Sequence, residues 1–188
     1  MSDLPPLDRR DGLPDALRVL LADYPRELWE SHGNFDGLTR FWLERHLMFR
    51  ELLARLRDEA EAAMDGNVDP RAYQRQTARL AGFFLNQLHG HHQIEDHHYF
   101  PQLSALETRL ARGFEILDAD HHVLDAQIHA LADHTNRLLQ ADPGALTDPA
   151  GALHGALERF TPFLNRHLED EEELIVPVIL KHGHSLEG

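Results

Sequence analysis

Apolar residues along this chain recur at intervals of three and four rather than alternating. Between residues 36 and 64, Trp42, Phe49, Leu53 and Leu56 fall on one stripe, and between 106 and 140 Phe114, Leu117, Leu124, Ile128 and Leu131 do the same. That is the period of a helix burying one face. The intervening positions are rich in Leu, Ala, Glu, Arg and Gln, which enter a helix at little cost. Punctuation residues bound four long helices. The first is predicted over about Asp36 to Met64, closed by Asp65-Gly66-Asn67. The second opens at Asp69-Pro70, an acidic cap before a proline at the first helical position, and runs to about Tyr99, ahead of Pro101. The third spans roughly Leu106 to Gln140, and the fourth runs from Asp148-Pro149 to about Lys181, with Pro162 expected to kink or divide it. Short connections between such helices predict an all-α, up-down-up-down four-helix bundle over 36–182. Residues 1–35, with Pro5, Pro6, Pro14 and Pro25, read as a leader packed on the bundle with one short helix near Pro14 to Ala22; 183–188 read as a tail.

Composition narrows the function classes. The chain has 188 residues, 18 Lys and Arg against 32 Asp and Glu, and a net charge of −14. That balance argues against nucleic acid and anionic membranes as partners, since both reward positive charge. No cysteine is present, which excludes disulfides, thiolate nucleophiles and cysteine-held zinc or iron–sulfur clusters. The acidic, proline-bearing start lacks the layout of a signal peptide, so a soluble cytoplasmic protein is expected. The anomaly is histidine: 15 of them, in a chain with 3 methionines and 3 tyrosines.

Some of those histidines are arranged. The second helix carries His91-His92-Gln93-Ile94-Glu95-Asp96 ahead of Pro101, and the fourth carries His167-Leu168-Glu169-Asp170-Glu171-Glu172 ahead of Pro177. Both strings are H-x-x-x-E-[DE]-x-x-x-x-P. Upstream the same offset pairs Phe84 with Phe160 and Leu88 with Leu164. Residues four apart share a helix face, so His91 with Glu95, and His167 with Glu171, each aim an imidazole and a carboxylate at one point inside the bundle. His46, between Trp42 and Phe49, and His121, between Leu117 and Leu124, lie on the stripes of the other two helices. Buried without partners, such groups would each cost several kcal/mol, and a metal ion removes the difficulty. Nitrogen and oxygen donors without sulfur suit iron, manganese or zinc.

These blocks, with the lone His46 and the His121 that follows Asp120, resemble the hemerythrin/HHE cation-binding family over roughly Asp36 to Lys181. The resemblance implies a four-helix bundle holding two non-haem iron ions with an oxo or hydroxo bridge, zinc or manganese being the alternatives. It implies His46, His91, His121 and His167 as ligands, with Glu95 and Glu171 bridging. His122 beside His121, and Glu172 beside Glu171, stay open as alternatives. Oxygen-carrying members have a second histidine four residues after the first on the third helix; here that position is Asp125. The remaining set is similar to that of iron-centre repair proteins and iron-sensing relatives, although the cysteine-bearing segment of the repair proteins is missing. More than one coordination position is then left unfilled, with Asp125, His32 and His98 as candidates to close it. The implied function is to bind, sense or react with dioxygen, peroxide or nitric oxide. The alternatives are an oxidoreductase consuming peroxide or nitric oxide, and an iron-sensing or repair module.

The other residues take plainer readings. Asp96 and Glu172 are expected to orient ligating imidazoles. His89, His92, His97, His129, His134, His154, His182 and His184 are expected on the surface, and the acidic run Glu169 to Glu173, Glu171 apart, is expected to be wet.

Overall fold

Each predicted long helix has its counterpart in the computed structural model, which describes residues 6–183. Helix α2 (Gly37–Met64) starts where Asp36 Oδ1 accepts from the Thr39 backbone N–H at 2.8 Å and from the Thr39 hydroxyl at 2.9 Å. It ends at Gly66, whose φ of 72° lets the Asn67 N–H reach the Ala62 carbonyl at 2.9 Å and the Gly66 N–H reach Ala63 at 3.2 Å. A side chain at Gly66 would be strained in that conformation. Helix α3 (Pro70–Ile94) is capped by Asp69, whose Oδ1 takes the Ala72 N–H at 2.7 Å. Among the described residues there is no strand, and no helix is long and apolar enough to cross a membrane.

Four features differ from expectation. The second helix does not stop before Pro101: α3 widens into a π turn over Glu95–Tyr99 and continues as α4 (Phe100–Leu106). Pro101 has no N–H to return to the carbonyl four residues back, and the wider turn, closed by the Phe100 N–H on the Glu95 carbonyl, precedes it directly. The chain then turns at Glu107, makes one 3-10 turn over Thr108–Leu110 and enters α5 (Ala111–Gln140), later than the predicted start near Leu106. Helix α6 (Thr147–His182) is one element through Pro162, whose ring is exposed. In the leader, a 3-10 turn at Asp15–Leu17 and α1 (Val19–Asp23) stand where one short helix was expected. The first residues of the leader, the tail beyond Gly183 and His184 lie outside the described residues.

The described residues form two compact units, and the division falls within all four long helices. One unit takes in residues 6–46, 92–122 and 163–183; its core joins Leu13, Leu17, Leu20 and Trp29 of the leader to Trp42, Phe114, Leu117, Leu174 and Ile175. There α5 and α6 approach so closely that a Cβ on Gly113 would stand 2.8 Å from a Leu174 methyl. The other unit takes in 47–91 and 123–162, where Phe84 meets Phe49 and Phe160 edge-on, with ring centroids 6.1 and 6.2 Å away. Leu53, Leu56, Leu88, Leu131 and Leu157 complete its interior.

Candidate metal centre

The helical period that buries Trp42 and Phe49 also buries His46, and the same logic carries His91, Glu95, His121, His167 and Glu171 inward. His46, Glu95, His167 and Glu171 are wholly enclosed, and His121 and His91 nearly so. Two groups of donors result. His46, His91, Glu95 and Glu171 offer atoms within 4.8 Å of one another, and His92, His121 and His167 form a second such group.

Glu171 joins the two. Its Oε2 lies 3.4 Å from His46 Nε2, while Oε1 lies 3.3 Å from His167 Nε2 and 3.5 Å from His121 Nε2. Glu95 faces the same space: Oε2 is 3.6 Å from His121 Nε2, and Oε1 accepts the Trp42 indole N–H at 2.8 Å. The carboxylate that follows His91 by one turn is therefore held by the indole on one oxygen and turns the other toward His121.

Behind the imidazoles stands a second set of carboxylates. His46 Nδ1 is 3.0 Å from Glu172 Oε1, His121 Nδ1 is 2.6 Å from Asp96 Oδ1, and His167 Nδ1 is 3.5 Å from Asp120 Oδ2. A carboxylate on Nδ1 fixes the tautomer with the proton on that side and leaves the Nε2 lone pair to a cation. Asp96 sits in the π turn, a departure from regular helix that recurs at functional sites, and Glu172 follows Glu171. Asp96 and Glu172, expected to orient imidazoles, thus stand beside His121 and His46.

Electrostatics decide whether this set suits a metal. Burial drives the Glu95 carboxyl well above the ordinary range, and the charge of Glu171 pushes it further. Burial would raise Glu171 as well, but the charge on His167, with the His121 and His167 rings facing its oxygens, holds it well below. Burial opposes a charge on His167, yet Glu171 and Asp120 hold its pKa up at about 9. The Nε2 atoms of His121 and His167 face each other 3.0 Å apart. With each Nδ1 turned toward a carboxylate, two lone pairs point into one space and require a cation there. A proton on His167 meets the need in the metal-free chain. A divalent ion meets it better, since it also takes the otherwise poorly solvated oxygens of Glu171 and Glu95. The residues fit a metal.

Several expectations need correction. His92, read as a surface residue, is 1% exposed; its ring stacks on His121 at 4.1 Å between centroids and meets His167 edge-on at 5.6 Å. The signal was present: His92 stands four residues after Leu88 and four before Asp96, as His91 stands before Glu95. The acidic run is wet only in part: Glu169 is exposed and Glu173 half-buried, but the other two leave water. Asp170 is fully buried and Glu172 is 5% exposed, because arginines of the leader and of α6 meet them. Of the neighbours left open, His122 is exposed and turns its Nδ1 to the Asp118 carbonyl of its own helix. His98 is exposed beside Gln102, His32 accepts the Asn34 N–H in the leader, and Asp125 faces His89 at 3.5 Å. None of these three belongs to either donor group.

This helical chain with its inward His and Glu donors is a cation-binding domain by construction. A family model of the hemerythrin HHE cation binding domain matches residues 37–183, and the chain belongs to that family. Searches of curated proteins and of solved structures find no match to it.

Proposed function

We propose that the chain holds two non-haem iron ions with an oxo or hydroxo bridge, and that the centre binds, senses or reacts with dioxygen, peroxide or nitric oxide. The observation that carries this reading is the position of Glu171, one oxygen toward His46 and the other toward His121 and His167. A carboxylate so placed would hold two ions rather than chelate one. His46 and His91 would serve one ion, His121 and His167 the other, with Glu95 as the second bridge. His92 would supply a third nitrogen beside His121 and His167, closing a position that Asp125 leaves unfilled.

Bound as a ferrous pair, iron would supply two electrons to a small oxidant. The chain's own part is to orient and to exclude water. Trp42 holds Glu95 by one oxygen, Asp96 and Glu172 keep the Nδ1 protons on the outer side of His121 and His46, and Asp120 stands 3.5 Å from His167 Nδ1. Trp42 also lines a cavity of about 20 Å³ with Leu38, Tyr99, Leu103, Ile175 and Ile179. Its lining is almost wholly apolar, which favours a small neutral ligand over an anion. Five histidines and two carboxylates leave less open coordination than four histidines would, which favours reversible binding or sensing over rapid turnover.

Metal analysis joined to near-ultraviolet absorption tests the reading. We expect two irons per chain and the charge-transfer bands of an oxygen-bridged ferric pair, both lost in Glu171→Ala. Protein purified and reconstituted with ferrous iron that holds no transition metal, or only one ion, overturns it.

A further inference from the structure

The leader lies outside the family match, which begins at residue 37, yet two of its arginines reach behind the candidate centre. Arg10 is buried, its side chain 2% exposed. Its Nε donates to Asp170 Oδ2 at 2.7 Å, Nη1 donates to Asp120 Oδ1 at 3.2 Å, and Nη2 donates to Asp120 Oδ2. Asp120 is the carboxylate behind His167. Two residues on, Gly12 has a φ of 155°, and the Leu13 N–H then caps the other oxygen of Asp170 at 3.2 Å. Arg26 makes the corresponding contact elsewhere. Its Nη1 donates to Glu172 Oε2 at 2.7 Å, and the other oxygen of Glu172 faces His46 Nδ1. The Arg26 guanidinium lies over the Trp29 ring, 4.7 Å from its centroid, and that ring is buried in the same core.

The pattern is the same twice: guanidinium, carboxylate, imidazole Nδ1, with Nε2 turned to Glu171. A carboxylate behind a ligating imidazole sets ring orientation and basicity, and losing such a partner typically costs 10–100-fold in metal affinity. These carboxylates are themselves crowded, since Glu95, Asp96, Asp120, Asp170, Glu171 and Glu172 gather around one site. Without a counter-charge they would repel one another and leave their positions behind Nδ1. A guanidinium offers donors in a fixed fork that holds a carboxylate in one orientation while offsetting its charge.

We propose that the leader is a working part of the metal centre, with Arg10 and Arg26 as positioning residues that hold His167 and His46 through Asp120 and Glu172. This rests on the metal-binding reading above. The leader's burial of Leu13, Leu17 and Trp29 would stabilise the fold without any such role, so the test must separate anchoring from positioning. Arg18 provides the control: it belongs to the same leader but pairs with Asp15 and Glu173, neither of which faces a histidine.

The experiment loads the full chain with ferrous iron and follows transfer of the metal to a strong ferrous chelator, together with the near-ultraviolet bands of an air-oxidised portion and the melting temperature of the iron-free protein. Arg26→Gln should release iron roughly tenfold faster than wild type and shift the charge-transfer band, with little change in melting temperature because this arginine is partly exposed. Arg26→Lys should recover much of the loss, since a single donor to Glu172 suffices. Arg18→Gln should release iron at the wild-type rate, and Arg26→Gln should add nothing in a Glu172→Gln background. Arg10→Gln should release faster still if it folds; the half-exposed Arg26 carries the test if it does not. Wild-type release from Arg26→Gln in a chain that holds its two irons overturns the positioning role alone. So does equal acceleration by Arg18→Gln. A wild-type chain that takes up no iron overturns the metal-binding reading and the positioning role with it.

Discussion

Replacing Glu95 by Gln should stabilise the metal-free protein while removing its capacity for two metals. Glu95 is completely enclosed, with Glu171 close by, and burial followed by that charge raises its carboxyl well above the starting value of 4.5. A carboxyl whose folded pKa exceeds its unfolded one binds more proton in the folded state. Its contribution is therefore greatest at low pH and is withdrawn as pH rises from about 4.5 toward the folded pKa. Each pH unit in that window withdraws up to about 1.4 kcal/mol, so raising the pH from 5 to 7 costs the wild type at most roughly 2.7 kcal/mol. Glutamine keeps the shape, its amide oxygen can still accept the Trp42 indole N–H, and its amide N–H groups face His121 and Glu171 instead of repelling them. The assay is urea unfolding of both chains in chelator from pH 5 to pH 8. Glu95→Gln should be the more stable at pH 7 by about 1–3 kcal/mol, or several degrees in melting temperature for a chain of this size. The gap should widen with pH. A variant no more stable than wild type at pH 7, or a gap independent of pH, would refute the reasoning.

Other outcomes follow from the same geometry. Phe84→Ala removes a 1% exposed ring from between Phe49 and Phe160 and should cost about 3–5 kcal/mol in chemical denaturation. Gly113→Ala gains up to about 1 kcal/mol in helix propensity but drives a methyl to 2.8 Å from Leu174, an overpacking cost of roughly 1–3 kcal/mol. Net destabilisation of about 1 kcal/mol is expected by calorimetry, smaller when Leu174 is shortened to Val. Glu107 is held down at about 2 by Arg109 and then Lys181 and His182, so its stabilisation is present above about 4.5 and lost as pH falls through about 2. Glu107→Gln should therefore lower stability by on the order of 1 kcal/mol at pH 7, and acid titrations of the two chains should converge near pH 2.

The helical architecture and the inward histidines of the four long helices are properties of the sequence itself. A period of three to four is a local quantity: once Trp42, Phe49 and Leu53 define a buried face, His46 must share it, and the matched blocks at His91 and His167 repeat the same statement. Capping at Asp36 and Asp69 is equally local, because the acceptor and the orphan N–H groups lie within three residues. What lies behind the donors is not local. The periodic pattern cannot say that Asp170 and Glu172 leave water, because that depends on where a proline-bearing leader with no period of its own lays Arg10 and Arg26. Pro101 reads as a helix end because it returns no N–H to the ladder, and the chain passes it by way of the wider turn at Glu95–Tyr99. His92 shares a face with Phe84 and Leu88, but the spacing alone does not say whether that face meets water or another helix. The convergence of α5 and α6 made it interior, because burial is decided by how many neighbours cover a helix, and a single chain's periodicity records only one side of that contact.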